Sequence, residues 1–410
     1  MDFEKKTKSI FYGMEFTHGI RRALLGALML VYLLSLGFSL IAVTTLIAVA
    51  GIIGMCFEFP TGAIADYDSR KKSIVISFFL FFLSFLGIFL FSNFWVIAFF
   101  SVMAEVAWTF SSGANIAWAI DNLNYAKKKS KIVSFFSRKM FFEKGGYILG
   151  GLIGIIIVAI NFRFVWLVVS LAYLVMMFVI TKYAEEKNFK PSKIPGNYLS
   201  KSINKAKESF SYLFHEKNKE LRVLMLWAFW TSIMAISSFM VCVPLLFTQV
   251  LNLSPAYLPG IYSFMAVIVL GIPFLTEKLA HKKGLRISLF SIYLFLFLSI
   301  IIFALSKSLV LAIITFGLFN IGKTATDVIE DAAVQHEFSS KLRASLGSLN
   351  SLNWSIANAL GIFLAGISIG LFGITNTIYG SGVLALITAV IYLKGMRNNL
   401  YYGKEKRIYS

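Results

Sequence analysis

The chain has 410 residues, 58% of them apolar and only 14% charged, with a formal net charge of +19. Its apolar residues run in blocks longer than a soluble core requires, which excludes a water-soluble enzyme or nucleic-acid binder and points to an all-α polytopic membrane protein. A helix crosses a hydrocarbon layer of about 30 Å with roughly 20 mostly apolar residues, so each block can be tested by its length.

In chain order, blocks long enough to span run over 9–36, 40–65, 73–91, 94–121, 132–160 and 163–183. After a polar stretch come 222–250, 257–279, 285–305, 308–335, 341–371 and 375–393. Twelve spans are therefore predicted. The cations fall in alternate loops: Lys5, Lys6 and Lys8, then Arg70, Lys71 and Lys72, Lys127 to Lys131, the central stretch, Lys282 to Arg286, and Lys404 to Arg407. The intervening turns hold only Arg163 and Lys307. The positive-inside rule then places both termini in the cytoplasm, which demands an even number of crossings. The first span carries Glu15, His18, Arg21 and Arg22 and lacks a cleavage site, so it is expected to stay in the protein rather than act as a signal.

The polar stretch contains "KPSKIPGN", a linker by its prolines and glycine, and sets the expected domains: 1–184, a six-helix bundle; 185–220, a cytoplasmic linker; 221–410, a second six-helix bundle. Inside the linker Leu199, Ile203, Ala206, Phe210 and Leu213 recur at helical spacing with lysines elsewhere, which predicts an interfacial helix on the cytoplasmic leaflet or a soluble amphipathic connector. The halves echo each other, since "GAIADYDSRKK" follows the second span and "EKLAHKKGLR" the eighth, as expected of two similar bundles around a shared site.

The loop after the second span carries Gly62, Asp66, Arg70 and Lys71. In this it resembles the major facilitator superfamily, whose corresponding loop reads G-x-x-x-D-R-x-G-R-K. Tyr67 and Ser69 depart from that pattern. The resemblance, of bacterial type with a drug or efflux branch in view, implies two pseudo-symmetric six-helix bundles that rock about a central cavity. It also implies that Asp66 docks at the start of the eleventh span, "SSKLRASLGS", and that Arg70 pairs with Asp121 at the end of the fourth, together latching one state. Gly62 is expected to let a neighbouring helix approach closely. In the family the first, fourth, seventh and tenth spans line the cavity.

A charge inside a membrane costs on the order of 2.5–3.5 kcal/mol even on the milder scales, so intramembrane charges mark candidate sites. Arg21, Arg22, Glu105, Glu143, Lys144 and Lys323 fall near the midplane, with Asp327, Glu330 and Asp331 deeper toward the cytoplasm. Glu105 is read either as a proton site or as an ionised partner of Arg21 or Arg22. Lys323 with Asp327, and Lys139 with Glu143, stand one turn apart and are expected to form structural pairs. Trp108, Trp118, Trp227, Trp230 and Trp354 lie inside spans, whereas Trp95 and Trp166 are expected at the interfaces. Gly146, Gly150 and Gly154, and Gly361 with Ala365, predict close helix approach, and Pro244 and Pro273 predict bends.

A tryptophan-walled cavity with a few fixed charges suits a small amphipathic organic molecule. The expected activity is proton-coupled export by alternating access across the cytoplasmic membrane, with uptake of an organic anion as the alternative, favoured by Arg21, Arg22 and Lys323. The fifth span has glycines but not the glycine-proline element associated with drug and proton antiporters. Cys56 and Cys242 lie in different halves, the four histidines are scattered, and no H-E-x-x-H, G-x-S-x-G or P-loop is present, so neither a metal site nor an enzyme is expected. The proton gradient would be the energy source, with no cofactor. The expected partners are a small-molecule substrate and the lipid bilayer, with no nucleic acid, and the chain would act as a monomer.

Overall fold

A computed structural model describes residues 3–125, 132–187, 207–215, 218–337 and 343–396. All regular structure among them is helical: α1 Phe3–Ser35, α2 Leu40–Tyr67, α3 Arg70–Leu90, α4 Phe94–Ser112, α5 Ala114–Tyr125, α6 Ile132–Ile160, α7 Phe164–Tyr183, α8 over 207–214, α9 Lys219–Arg222, α10 Ala228–Leu245, α11 Leu258–Ile268, α12 Ile272–Lys283, α13 Leu285–Ala304, α14 Leu309–Glu337, α15 Arg343–Phe372 and α16 Ile374–Gly395. Eleven helices among the described residues are long and apolar enough to cross a membrane. A pair bent by 48°, Phe3–Gly26 with Leu28–Ser35, supplies a twelfth.

The helix boundaries follow local chemistry. Ser39 and Ser69 cap α2 and α3 by accepting from the amides of Ala42 and Lys72, and Asn93 caps α4 by accepting from Trp95 and Val96. Gly373, at φ 84°, turns the chain from α15 into α16, a conformation that a side chain would strain. Both expected prolines mark irregularities. The 3₁₀ stretch Val269–Gly271 stands just before Pro273, whose ring displaces the carbonyl four residues back, and the π stretch Leu246–Val250 follows Pro244.

The chain divides into two units, Met1–Gly196 with Ser254–Ala266, and Asn197–Leu253 with Val267–Ser410. In the first, α1 packs on α6 closely enough for glycines of one helix to meet the backbone of the other. A methyl placed on Gly146 would meet the Phe16 carbonyl group, with its carbon at 2.9 Å, and one on Gly150 would meet the Ile20 Cα at 2.9 Å. Gly154 lies against Leu24 and Pro259. Serines stitch the helices: Ser77 donates to Ala107 O at 2.6 Å, Ser73 to Phe110 O at 2.7 Å and Ser170 to Phe82 O at 2.9 Å. Such bonds average about 0.6 kcal/mol in membranes, so they add specificity more than strength. Trp166, expected at the interface, is fully buried between Tyr32 and Phe85. It faces inward because α7 turns that side toward α1 and α3. Trp95, at 77% exposure, does point outward.

The second unit has an aromatic core of Phe239, Phe247, Phe303, Phe316 and Phe319. Gly361 brings α15 against Met234 and Ser237 of α10, where Ser238 donates to Gly361 O at 2.9 Å. Of the predicted linker helix, residues 199–206 lie outside the described ones. Residues 207–214 are helical, with Leu213 buried but Phe210 exposed and stacked on Phe214 at 4.8 Å, so the two residues assigned to one apolar face point differently.

Candidate functional site

In the first unit the polar residues of α1 meet partners that the sequence does not announce. Glu15, His18 and Arg22 follow one another at three and four residues, one stripe of the helix. Because Gly146 and Gly150 draw α6 close, Glu15 reaches Lys139 at 3.7 Å and Arg22 pairs with Glu143. Lys139 and Glu143, expected to pair along α6, are thus each matched across to α1. Arg22 likewise takes Glu143 in place of Glu105. His18 is buried, with Nδ1 2.9 Å from the Tyr173 hydroxyl and Nε2 3.3 Å from Asn115 Nδ2.

Arg21 differs from its neighbours. Its guanidinium stands 5.0 Å over the ring of Phe81 and 5.2 Å over that of Trp108, and Arg22 is 5.4 Å over the same Trp108 ring. Among the described residues Arg21 Nε is buried without a hydrogen-bond partner, as is Asn115 Oδ1, while the rest of the Arg21 guanidinium acts on Tyr173. Among the described residues Arg21 forms no ion pair, and Glu105, beside Gly54 on α2, forms neither an ion pair nor a hydrogen bond. Glu105 thus makes no direct ion pair with Arg21 or Arg22 among the described residues, although the Arg21 charge lies near enough to act on it.

The loop between α2 and α3 forms a second polar cluster. Arg70 pairs with Asp121 and donates to Ala117 O at 2.9 Å. Lys71 donates to Thr181 O at 3.0 Å. Gly62, expected to admit a neighbouring helix, faces open space: a methyl there meets nothing within 4 Å. Asp66 is exposed, and its expected docking partner includes residues 339–342, which lie outside the described ones.

The acids that follow α7 carry no signal of their role in the sequence. Glu186 accepts from Ser69 Oγ at 2.6 Å and from the Arg70 amide at 2.9 Å, at the positive end of α3. Glu185 pairs with Lys6 at 2.7 Å and Lys187 at 3.0 Å, whose hydrogen bonds hold its carboxyl down to about 2. Its carbonyl accepts from Trp118 Nε1 and Asn122 Nδ2, both at 2.9 Å. Trp118 is therefore a buried anchor for this segment, not a wall of a cavity.

In the second unit Lys323 and Asp327 pair along α14 at 2.6 Å. Trp227 and Trp354 are largely exposed, at 62% and 49%, while Trp230 has a buried Nε1 without a partner among the described residues. Near Asp327, Glu330 accepts from the hydroxyls of Tyr293 at 2.6 Å and Tyr392 at 2.7 Å. No group of three or more described His, Cys, Asp or Glu residues is arranged to hold a metal.

The whole arrangement is a known one. Solved structures similar to this chain include a mutant of the nucleoside transporter NupG (TM-score 0.77, 14% identity, covering 97% of this chain and 100% of that one). A POT family transporter in complex with 5-aminolevulinic acid aligns at TM-score 0.75 and 16% identity, covering 94% and 95%. The human organic anion transporter MFSD10 aligns at 0.64 and 14%, covering 96% and 100%. A comparison with curated protein sequences returns no match. At these identities the structures show the fold, and the family is shown by the sequence itself, which matches the Major Facilitator Superfamily over residues 11–336. The chain belongs to the major facilitator superfamily and is a membrane transporter, not an enzyme.

Proposed function

We propose that the protein is a secondary transporter that carries a small amphipathic organic anion across the cytoplasmic membrane by alternating access, with protons as the coupling ion. The observation that carries this reading is Arg21. Among the described residues Arg22, Lys139 and Lys323 each have a carboxylate, whereas Arg21 has two aromatic faces and an Nε without a hydrogen-bond partner. Cation–π contacts return about 0.5–2 kcal/mol, less than the insertion cost of an intramembrane cation. A substrate carboxylate or phosphate would supply the missing partner, and Trp108 and Phe81 would receive its apolar body. This charge, without an ion pair among the described residues, is why we favour the organic anion, the alternative read from the sequence, over export of an amphipathic compound in general.

The complex of one similar transporter with 5-aminolevulinic acid, and the organic anions carried by another, agree with this reading without carrying it. We further propose a monomer with both termini in the cytoplasm and domains at 1–184, 185–220 and 221–410. In it Gly62, Asp66, Arg70, Lys71 and Asp121 would act as the cytoplasmic latch, with Arg21, Arg22 and Trp108 in the first unit and Trp227 and Trp230 in the second as candidate substrate contacts.

A thermal-shift panel on purified protein tests the site, using organic anions with and without an aromatic body and their neutral analogues. Anions should stabilise the wild type and fail to stabilise Arg21→Gln, whereas equal stabilisation of both proteins, or a response to the neutral analogues alone, would refute the assignment. In liposomes, entry of the active anion driven by an acidic exterior is the expected direction. Exit of the anion driven by an acidic exterior, without acid-driven entry, would assign proton-exchanged export, the direction first expected from the sequence.

A further inference from the structure

α14 carries four charged groups within little more than two turns: Lys323, Asp327, Glu330 and Asp331. Lys323 and Asp327 cancel at 2.6 Å. Glu330 is left where three helices meet, with Tyr293 of α13 and Tyr392 of α16 both donating to the same oxygen, Oε1, at 2.6 and 2.7 Å. Both tyrosines are fully buried, with ring centroids 5.5 Å apart, so the phenols are fixed before any proton arrives.

The groups facing Glu330 are these two phenols and, from α14 itself, Asp327 and Asp331. Among the described residues, none of the neighbouring α9, α12, α13 and α16 offers it an ion pair. The carboxyl is thus supported by donors rather than by a cation, beside two further acids.

This geometry serves both protonation states without rearrangement. A carbonyl oxygen has two lone pairs, so in the acid form Oε1 can accept from both phenols while the proton sits on Oε2. When that proton leaves, the same two donors hold the carboxylate, and charge-assisted hydrogen bonds are the stronger kind. Glu330 is partly accessible, so protons can reach it. Glu105 has no donor to hold its charge among the described residues, and is the poorer candidate for a group that must ionise and recover.

We propose that Glu330 is a reversible proton-binding site, taking a proton on Oε2 from one face of the membrane and returning it to the other while Tyr293 and Tyr392 hold Oε1. That this proton drives transport rests on the coupling reading above. The binding itself does not.

Infrared difference spectra of the full-length protein in lipid, acid minus alkaline buffer, test the binding without a substrate. The wild type should show the carbonyl band of a protonated carboxyl that is lost in Glu330→Gln and kept in Glu105→Gln. Tyr293→Phe and Tyr392→Phe should each move the band to higher frequency, since each removes one hydrogen bond from the carbonyl. A band that survives in Glu330→Gln, or no pH-dependent carboxyl band in the wild type, overturns the proposal. Should Glu330→Gln fail to fold, the tyrosine variants decide, and an unshifted band in both overturns it. Anion transport without proton movement would remove the coupling reading and leave this band in place. The two failures are therefore distinguishable.

Discussion

Replacing Glu143 by Gln removes the carboxylate that Arg22 reaches from α1 while keeping the shape of the side chain. The pair lies between solvent and core, with side chains 39% and 19% exposed. Exposed pairs contribute about 0.2–1 kcal/mol, and breaking a buried pair costs about 3–5 kcal/mol, so an intermediate loss of about 1–2 kcal/mol is expected. For a unit of roughly 200 residues that is a fall of about 3–6 °C in Tm. Much of the loss comes from stranding Arg22 beside Trp108, so the double variant Arg22→Gln, Glu143→Gln should recover most of it. Thermal unfolding of the wild type, both single variants and the double variant in one detergent closes the cycle. A coupling near zero would refute the claim that these charges join α1 to α6.

Four further outcomes follow from named contacts. Gly146→Leu should cost about 1–3 kcal/mol or more, because the Phe16 backbone it would strike cannot yield, whereas Gly62→Leu should stay within about 0.5 kcal/mol; both are read by thermal stability. Trp118→Phe should cost about 1–3 kcal/mol, through the lost bond to Glu185 O and the volume left at a site only 2% exposed, and unchanged stability would contradict the anchoring role. Glu185 has its carboxyl lowered to about 2 from an ordinary 4.5, so the contact with Lys6 and Lys187 contributes fully above the ordinary value and is lost as pH falls through about 2. Lys6→Gln should move that titration upward in an isotope-edited NMR experiment, and an unmoved midpoint would show that Lys6 is not the cause.

What could be read in advance divides along physical lines. Spans depend on length and apolarity, which are properties of single segments, and Lys323 with Asp327 depends on one helical turn, so both were legible. The contact of Arg70 with Asp121 came from the motif resemblance. Trp166 was misplaced because a helix apolar on every side has no periodicity to say which face looks inward, as α7 shows. The same blindness hid Tyr173 behind His18 and the two tyrosines behind Glu330, since an aromatic residue in an oily helix carries no signature of its role. Glu105 and Lys139 were assigned from depth and spacing along one helix. Which charges meet is decided by which helix comes near: α6 can approach α1 because of Gly146 and Gly150, so Glu143 takes Arg22 and Lys139 takes Glu15, while Glu105 takes neither arginine.

The most direct test of the account is transport by the purified protein in liposomes, using a labelled organic anion that stabilises the wild type. The account predicts accumulation driven by an imposed pH gradient, abolished by a protonophore and absent from Arg21→Gln. Accumulation that ignores the gradient, or that Arg21→Gln sustains at the wild-type rate, would contradict it.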